Sequence, residues 1–175
     1  MLTVRKTSLD GVLLIEPLTN FEDFRGSYVE LYNREMFHAA GLTQEFLQDD
    51  ISTSSRHVLR GIHGDEKTWK LVSCLHGSFY LVVVNWDPAS PQYRQWEGFT
   101  LSDSNRLSVL IPPRHGNGHV VMSERAIFHY KQTTQYDRAG QFTLRYDDPA
   151  LGIWWPVTSP ILSRRDDQAP YVQGR

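Results

Sequence analysis

The feature that most constrains this chain is a succession of short β-rich runs, each ended by turn residues. The clearest is residues 79–84, which is apolar at every position and predicts a strand buried on both faces. Only residues 33–40, stopped by Gly41, and a turn at 148–152 suggest helix. Many short strands separated by turns predict an all-β sandwich or barrel of roughly ten strands. The other strand-like runs cover residues 12–15, 27–32, 58–62, 70–75, 78–86, 95–101, 108–111, 119–122, 126–134 and 141–146.

Length and composition narrow the class of protein. The 175 residues contain no repeat or linker-like stretch, so we expect a single domain over 1–175. A net charge of −2 gives no general attraction to nucleic acid or to an anionic membrane. The longest apolar run is far shorter than the roughly 20 residues that cross a bilayer. A lone cysteine, Cys74, excludes an intrachain disulfide, and we expect a cytoplasmic protein.

Three local patterns carry structural predictions. The dipeptide His76-Gly77 predicts a tight hairpin turn between the runs at 70–75 and 78–86. Arg60 and His63 would face opposite sides of a regular strand, but a bulge at Gly61 would bring both into one cleft. The tyrosines at 130 and 136 have an even separation, which places them on one face of a continuous strand.

The seven histidines do not form a metal-binding pattern. A metal-dependent β-barrel of the cupin type would show a His-x-His pair followed by a carboxylate, and no such pair follows His63. His115 and His119 fall in a Pro- and Gly-rich stretch that suggests a loop, where their spacing carries no information. We therefore expect no metal, and most of the histidines to be solvated or hydrogen-bonded.

An ordered set of motifs extends from about residue 20 to residue 166. The motifs are Phe21-x-Asp23-x-Arg25-Gly26-x-x-x-Glu30, Gln48-Asp49, Leu59-Arg60-Gly61-Ile62-His63, Lys70-Leu71-Val72, Ile111-Pro112-Pro113, Tyr130-Lys131, Tyr136, Asp148-Pro149-x-Leu151-Gly152-Ile153-x-Trp155-Pro156 and Ser163-x-x-Asp166. Together they resemble the dTDP-4-dehydrorhamnose 3,5-epimerase family. The resemblance implies a cupin-like β-barrel or jelly roll with a short C-terminal helical or irregular tail, no metal, no organic cofactor and a homodimer.

The resemblance also implies the chemistry. The substrate would be a dTDP- or GDP-linked 4-keto sugar, whose ketone acidifies the C–H bonds at C3 and C5. His63 would be the base that removes a proton, and Asp166 would orient its imidazole. Tyr130 would return a proton to the other face, and Lys70 would stabilise the enolate oxygen. The positions inverted stay open: C3, C5 or both.

Several residues would bind the nucleotide and the sugar. Arg25 and Arg60, with Arg165 as a further candidate, offer the cations that a diphosphate requires. The resemblance assigns Arg25 and Glu30 to nucleotide contacts that extend across a dimer. It also assigns Gln48 to the nucleotide or sugar and Phe21 and Tyr136 to the walls of the cleft.

Departures from the family pattern concentrate around the sugar. Asp50 replaces a usual Asn, Asn117 a usual His, and Gln141 a usual Glu, and Gly64 stands where a bulkier residue is common. We expect Gly64 to open space beside the base. The form Arg-Gly-Ile-His-Gly-Asp resembles a branch of the family found in capsular heptose pathways, which favours a longer sugar such as a GDP-linked heptose. Two alternatives stay open, a 3,4-ketoisomerase and a non-catalytic sugar-nucleotide-binding barrel.

Overall fold

The structure is a computed structural model that describes residues 2–17 and 20–172. These residues form thirteen strands and two short helices. The strands are β1 (Thr3–Lys6), β2 (Leu13–Glu16), β3 (Asn20–Asp23), β4 (Gly26–Val29), β5 (Gln48–Ser55), β6 (Leu59–Gly64), β7 (Lys70–His76), β8 (Ser78–Asn85), β9 (Trp96–Ser102), β10 (Ser108–Ile111), β11 (His115–Val121), β12 (Arg125–Gln132) and β13 (Phe142–Thr143), and the helices are α1 (Arg34–Ala39) and α2 (Arg164–Asp167).

The strands form two facing sheets and a separate hairpin. A six-stranded sheet has the order β1-β2-β10-β7-β12-β5, and a five-stranded sheet has the order β13-β6-β11-β8-β9. Apolar side chains from both sheets meet in one core, which includes Val72 and Val109 from the first and Phe79, Leu81 and Val121 from the second. The predicted all-β, cupin-like jelly roll with a short C-terminal helix is confirmed.

The hairpin predicted at His76-Gly77 is wrong. β7 pairs with β10 and β12, whereas β8 pairs with β11 and β9, so the chain crosses between the sheets at this turn. The reason lies in the core. Val72 on β7 and Phe79 on β8 are both buried in the same cluster, which the strands achieve by facing each other across the core instead of pairing edge to edge.

The helix predicted over residues 33–40 is confirmed as α1. The side chain of Asn33 caps this helix by accepting a hydrogen bond from the backbone N–H of Met36. Phe37 on α1 packs against Leu71 and Leu110 on the outer face of the six-stranded sheet. No helix among residues 2–17 and 20–172 has the length and apolar composition needed to cross a membrane.

The structure differs from the sequence predictions at other elements too. The described residues form thirteen strands where roughly ten were expected, and the additional ones include β1, β3 and β5. The Pro- and Gly-rich stretch was expected to be a loop up to His119, but β11 already begins at His115. The run at 141–146 forms a strand only over Phe142–Thr143.

Candidate active site

A cavity of about 520 Å³ opens between the two sheets, at the side where β5 and β12 face β6 and β11. The segment from Tyr136 to Gln141 and helix α2 complete its walls. Most of its lining residues are polar or charged, and they include most of the candidate residues. The lining side chains are Ser52, Arg60, His63, Lys70, Asn117, His119, Phe128, Tyr130, Tyr136, Arg138, Gln141, Ser163, Arg164, Arg165 and Asp166.

A bulge in β6 brings Arg60 and His63 into this cavity, as the sequence predicted. Asn117 pairs with His63 and His119 pairs with Arg60, so a two-residue step on β11 is opposite a three-residue step on β6. Gly61 lies at the bulge with φ +120, and a Cβ there would stand 2.5 Å from the Cα of Gly118. A glycine is therefore required at this position, since a side chain would collide with the neighbouring backbone.

His63 and Asp166 form a hydrogen-bonded pair. The Nε2 of His63 lies 2.6 Å from Oδ1 of Asp166, and Oδ2 of the same carboxylate accepts the hydroxyl of Ser163 at 2.9 Å. Burial raises the pKa of Asp166, but the hydrogen bond from His63, its charge and the bond from Ser163 outweigh burial, so the pKa falls below its ordinary value. An ionised carboxylate only accepts, so Nε2 donates and Nδ1 is left as the proton acceptor.

Tyr130 faces His63 from the other sheet, since it lies on β12 and His63 lies on β6. Burial, followed by the nearby carboxylate of Asp50, raises the pKa of Tyr130 to about 12. The carboxylate of Asp50 is itself held by the side-chain amides of Gln48, at 2.8 Å, and Gln132, at 3.1 Å. The hydroxyl of Tyr130 therefore keeps its proton at neutral pH, as a proton donor must.

Lys70 brings a buried cation to the same cavity. It is the first residue of β7, its exposed fraction is 8%, and no hydrogen bond or ion pair joins its ammonium group to another residue in the described part of the chain. Burial lowers the pKa of Lys70 below its ordinary value, and nearby Asp65 partly offsets this effect. An unpaired, buried donor is suited to an oxyanion.

The cavity is strongly cationic. Five of its lining residues are Lys or Arg, whereas Asp166 is the one carboxylate among the described lining residues. The guanidinium of Arg165 is held by Thr143 Oγ1 at 2.8 and 3.0 Å, and Arg60 donates to Ser54 at 2.9 Å. Such anchored guanidinium groups match the oxygens of a phosphate or diphosphate.

The structure brings together nine of the fourteen site residues that the sequence predicted. They are His63, Lys70, Tyr130, Asp166, Arg60, Asn117, Tyr136, Gln141 and Arg165. Tyr136 lines the cavity from a loop and not, as predicted, from the same strand as Tyr130, because β12 ends at Gln132. Five residues are not among the lining residues of the cavity, namely Phe21, Arg25, Glu30, Gln48 and Asp50.

Two of those five support the cavity from behind, and three lie on or beside the β3–β4 hairpin. Gln48 and Asp50 stand beneath Tyr130, as described above, and Gln48 also accepts the backbone N–H of Tyr136 at 2.9 Å. Phe21 is 68% exposed, and the guanidinium of Arg25 pairs with Asp23 at 2.6 Å. Glu30 directly follows the hairpin and accepts a hydrogen bond from the side chain of Asn33 at 2.9 Å.

The expectation that Gly64 opens space beside the base is wrong. Gly64 is buried, and a Cβ placed on it would lie 2.4 Å from the carbonyl oxygen of His115 and 2.4 Å from the ring of Phe142. These neighbouring atoms already occupy the space that a side chain at Gly64 would need. The small residue therefore allows close packing of β6 and leaves the volume of the cavity unchanged.

Sequence reasoning missed several lining residues. Arg138 and Arg164 carried no motif, and Ser52 belongs to a strand that was not predicted. The predicted strand began only at His119, so its even offset from Asn117 on the same strand, which places both on one face, was not used. Within the described ranges, no group of three or more His, Cys, Asp or Glu side chains is arranged to hold a metal ion.

Known proteins match this chain over almost its whole length. The family model for dTDP-4-dehydrorhamnose 3,5-epimerase matches residues 6–173. The Salmonella typhimurium enzyme of that name is 38% identical, over 98% of this chain and 96% of its own. The enzyme from Bacillus anthracis, solved with TDP and PPi bound, has a TM-score of 0.93 at 32% identity, covering 98% of this chain and 100% of that one.

A third relative shows a sugar in place. The enzyme from Legionella pneumophila, in complex with dTDP-4-keto-L-rhamnose, has a TM-score of 0.91 at 33% identity and covers 99% of this chain and 100% of its own. The fold and these matches define the chain as a sugar-nucleotide epimerase. It belongs to the dTDP-4-dehydrorhamnose 3,5-epimerase family.

Proposed function

We propose that this protein inverts C3, C5 or both in a nucleoside-diphosphate 4-keto sugar, with His63 as base and Tyr130 as acid. The observation that carries the proposal is the placement of these two groups on facing sheets across one cationic cavity. Inversion requires a proton to leave one face of the sugar and return to the other. Two groups on opposite walls meet that requirement, whereas two groups on one wall would not.

Each step of the proton transfer uses a group of this chain. The 4-ketone of the sugar withdraws electrons, so Nδ1 of His63 takes a proton from the adjacent carbon and an enolate forms. Asp166 supports the imidazolium that results, and Lys70 stabilises the negative oxygen. Tyr130 then returns a proton to the opposite face, and the ketone is restored. The chemistry needs neither a metal nor an organic cofactor, because the ketone is the electron sink.

The diphosphate binds to arginines that line the cavity. Arg60 and Arg165 are its ligands in this proposal, and Arg138 and Arg164 add positive charge to the same cavity. Tyr136 and Gln141, which line the cavity beside them, contact the nucleoside or the sugar.

A second subunit is required for the nucleotide contacts predicted for Arg25 and Glu30 and for the place predicted for Phe21 in the wall of the cleft. The β3–β4 hairpin pairs with neither main sheet and displays exposed aromatic rings, with Phe24 98% and Tyr28 68% exposed. A homodimer in which each hairpin covers the partner's cavity would bury these rings and deliver Arg25 to the diphosphate.

Mixing two defective variants tests this arrangement. His63→Asn alone and Arg25→Ala alone should each be inactive or weak. A mixed dimer would carry both defects in one site and leave the other site intact, so random exchange should recover about a quarter of the wild-type sites. Two separate preparations of His63→Asn, mixed in the same way, are the control. Absence of recovery despite demonstrated subunit exchange would refute a shared site.

The sugar is proposed to be larger than a 6-deoxyhexose, such as a GDP- or dTDP-linked 4-keto heptose used for a capsule or lipopolysaccharide. Support comes from Asn117 in the cavity wall, whose amide donates to the carbonyl of His63 at 3.3 Å, and from the neutral Gln141. The reducing cytoplasm is the proposed compartment, which suits the single, buried thiol of Cys74.

Incubation in D2O tests the function directly. The purified protein is supplied with dTDP-4-keto-6-deoxyglucose and, separately, with GDP-linked 4-keto hexose and heptose substrates. We expect deuterium at C3, C5 or both, inverted configuration by proton NMR, and a higher kcat/KM for the heptose. Movement of the carbonyl to C3 would identify a ketoisomerase, and binding without deuterium uptake would identify a non-catalytic protein.

A further inference from the structure

His119 is a buried histidine that the proposed proton transfer does not use. It lies on β11, where its neighbours across the sheet are Arg60 and Leu81. Its ring stacks on Phe128 with 4.1 Å between centroids and 8° between planes, and its exposed fraction is 3%. One side of the ring belongs to the apolar core, and the other side lines the cavity close to His63.

The nitrogens of this ring have no hydrogen-bond partner among the residues that the structure describes. No hydrogen bond or ion pair joins them to another residue in the described part of the chain. Neither nitrogen is completely buried, however, because the ring lines the cavity. Burial, then the charges of Arg60 and His63, lowers the pKa of His119 to about 3, so the ring is neutral at physiological pH. A stacked phenyl ring would fill the same space without the cost of desolvating two nitrogens.

The chemistry of a neutral imidazole selects its ligand. It offers one N–H donor and one nitrogen acceptor, which match a hydroxyl group, itself both donor and acceptor. A phosphate needs positive charge instead, and the arginines that line the cavity supply that. Asn117, two residues away on the same strand, lines the cavity beside His63, so His119 faces the sugar.

We propose that His119 hydrogen-bonds a hydroxyl group of the sugar and thereby determines which 4-keto sugars the site accepts. The inference rests on the proposed function of the same cavity. His119 is a binding residue in this proposal and transfers no proton. A site built to hydrogen-bond a hydroxyl discriminates strongly against sugars that lack it, because its own polar group is then left unpaired.

Calorimetric titration separates the sugar from the nucleotide. Wild type and His119→Phe are titrated with dTDP and GDP, and with their 4-keto-sugar derivatives. Phe keeps the stacked ring and removes both nitrogens, so we expect about a tenfold loss of affinity for the sugar nucleotide and no change for the nucleoside diphosphate. His119→Gln, which restores a donor and an acceptor, should recover part of the loss.

Each other outcome overturns a distinct statement. Equal affinity of wild type and His119→Phe for the sugar nucleotide, with deuterium exchange intact, would refute the role of His119 and leave the epimerase proposal standing. A parallel loss for nucleoside diphosphate and sugar nucleotide would show a structural role only. A wild type that binds a sugar nucleotide no better than the nucleoside diphosphate, and exchanges no deuterium, would refute both proposals. Thermal unfolding and near-UV circular dichroism of the variants verify the fold.

Discussion

Replacing His119 by Phe should make the protein less sensitive to mild acid. The folded state holds the pKa of His119 at about 3, because burial and then the electrostatic effects of Arg60 and His63 oppose its protonation. An unfolded chain protonates histidine near its ordinary pKa, about 6.5. Between these values the unfolded state binds the additional proton, so the free energy of unfolding falls as the pH falls. The loss begins near pH 6.5 and continues down to about pH 3.

The magnitude follows from the distance between the working pH and 6.5. At pH 5.0 the difference is about 1.5 units, which corresponds to about 2 kcal/mol that wild type loses and the Phe variant does not. Urea unfolding, followed by tryptophan fluorescence at pH 7.5 and 5.0, measures it. Relative to wild type, His119→Phe should gain about 2 kcal/mol between the two conditions. His76→Gln, at a 60% exposed side chain, is the matched control and should show no comparable gain. An identical difference between wild type and His119→Phe at both pH values would refute the reasoning.

Three further predictions concern the walls of the cavity. His63→Asn should lower turnover on the order of 100-fold or more in an NMR epimerisation assay, and near-wild-type turnover by a folded variant would exclude it as the base. Tyr130→Phe should let His63 exchange substrate protons with D2O while inversion stops, whereas normal inversion would assign the acid to another group. Gly64→Ala should cost about 1–3 kcal/mol in urea unfolding, since its Cβ would stand 2.4 Å from two neighbouring atoms, and unchanged stability would contradict that packing.

The sequence predicted the core more accurately than the cavity, and β5 shows why. Its inward-facing residues include Gln48, Asp50 and Ser52, which face the cavity or support Tyr130, so the strand lacks the apolar alternation by which strands are recognised. By contrast, residues 79–84 face the core between the sheets on one side and a second apolar cluster on the other. Their apolar run therefore predicted β8 correctly. The polar residues that enable binding thus remove the sequence pattern from which their strand could have been predicted.

The pairing between strands also could not be predicted from local sequence patterns. The runs on either side of Gly77 were predicted correctly, but their assignment to different sheets depends on which core each side chain joins. The loop containing Tyr136 is similar, since its position over the cavity depends on a hydrogen bond from its backbone to Gln48, far away in the sequence. The bulge at Gly61 was predictable, because a glycine within a strand is a local signal.

The motif Ser163-x-x-Asp166 shows how one local spacing serves the chemistry. Ile161 pairs with the chain beside β6, through hydrogen bonds of 2.8 Å to His57 and 3.0 Å from Leu59, and this brings α2 alongside the strand that carries His63. The hydroxyl of Ser163 then caps α2 by accepting the backbone N–H of Asp166 at 3.2 Å, and donates to the carboxylate of the same residue at 2.9 Å. Capping fixes a spacing of three residues, because the third N–H of the helix is the one that a capping side chain reaches. The carboxylate is therefore immobilised by the helix end itself, and the imidazole of His63 is oriented before any sugar arrives.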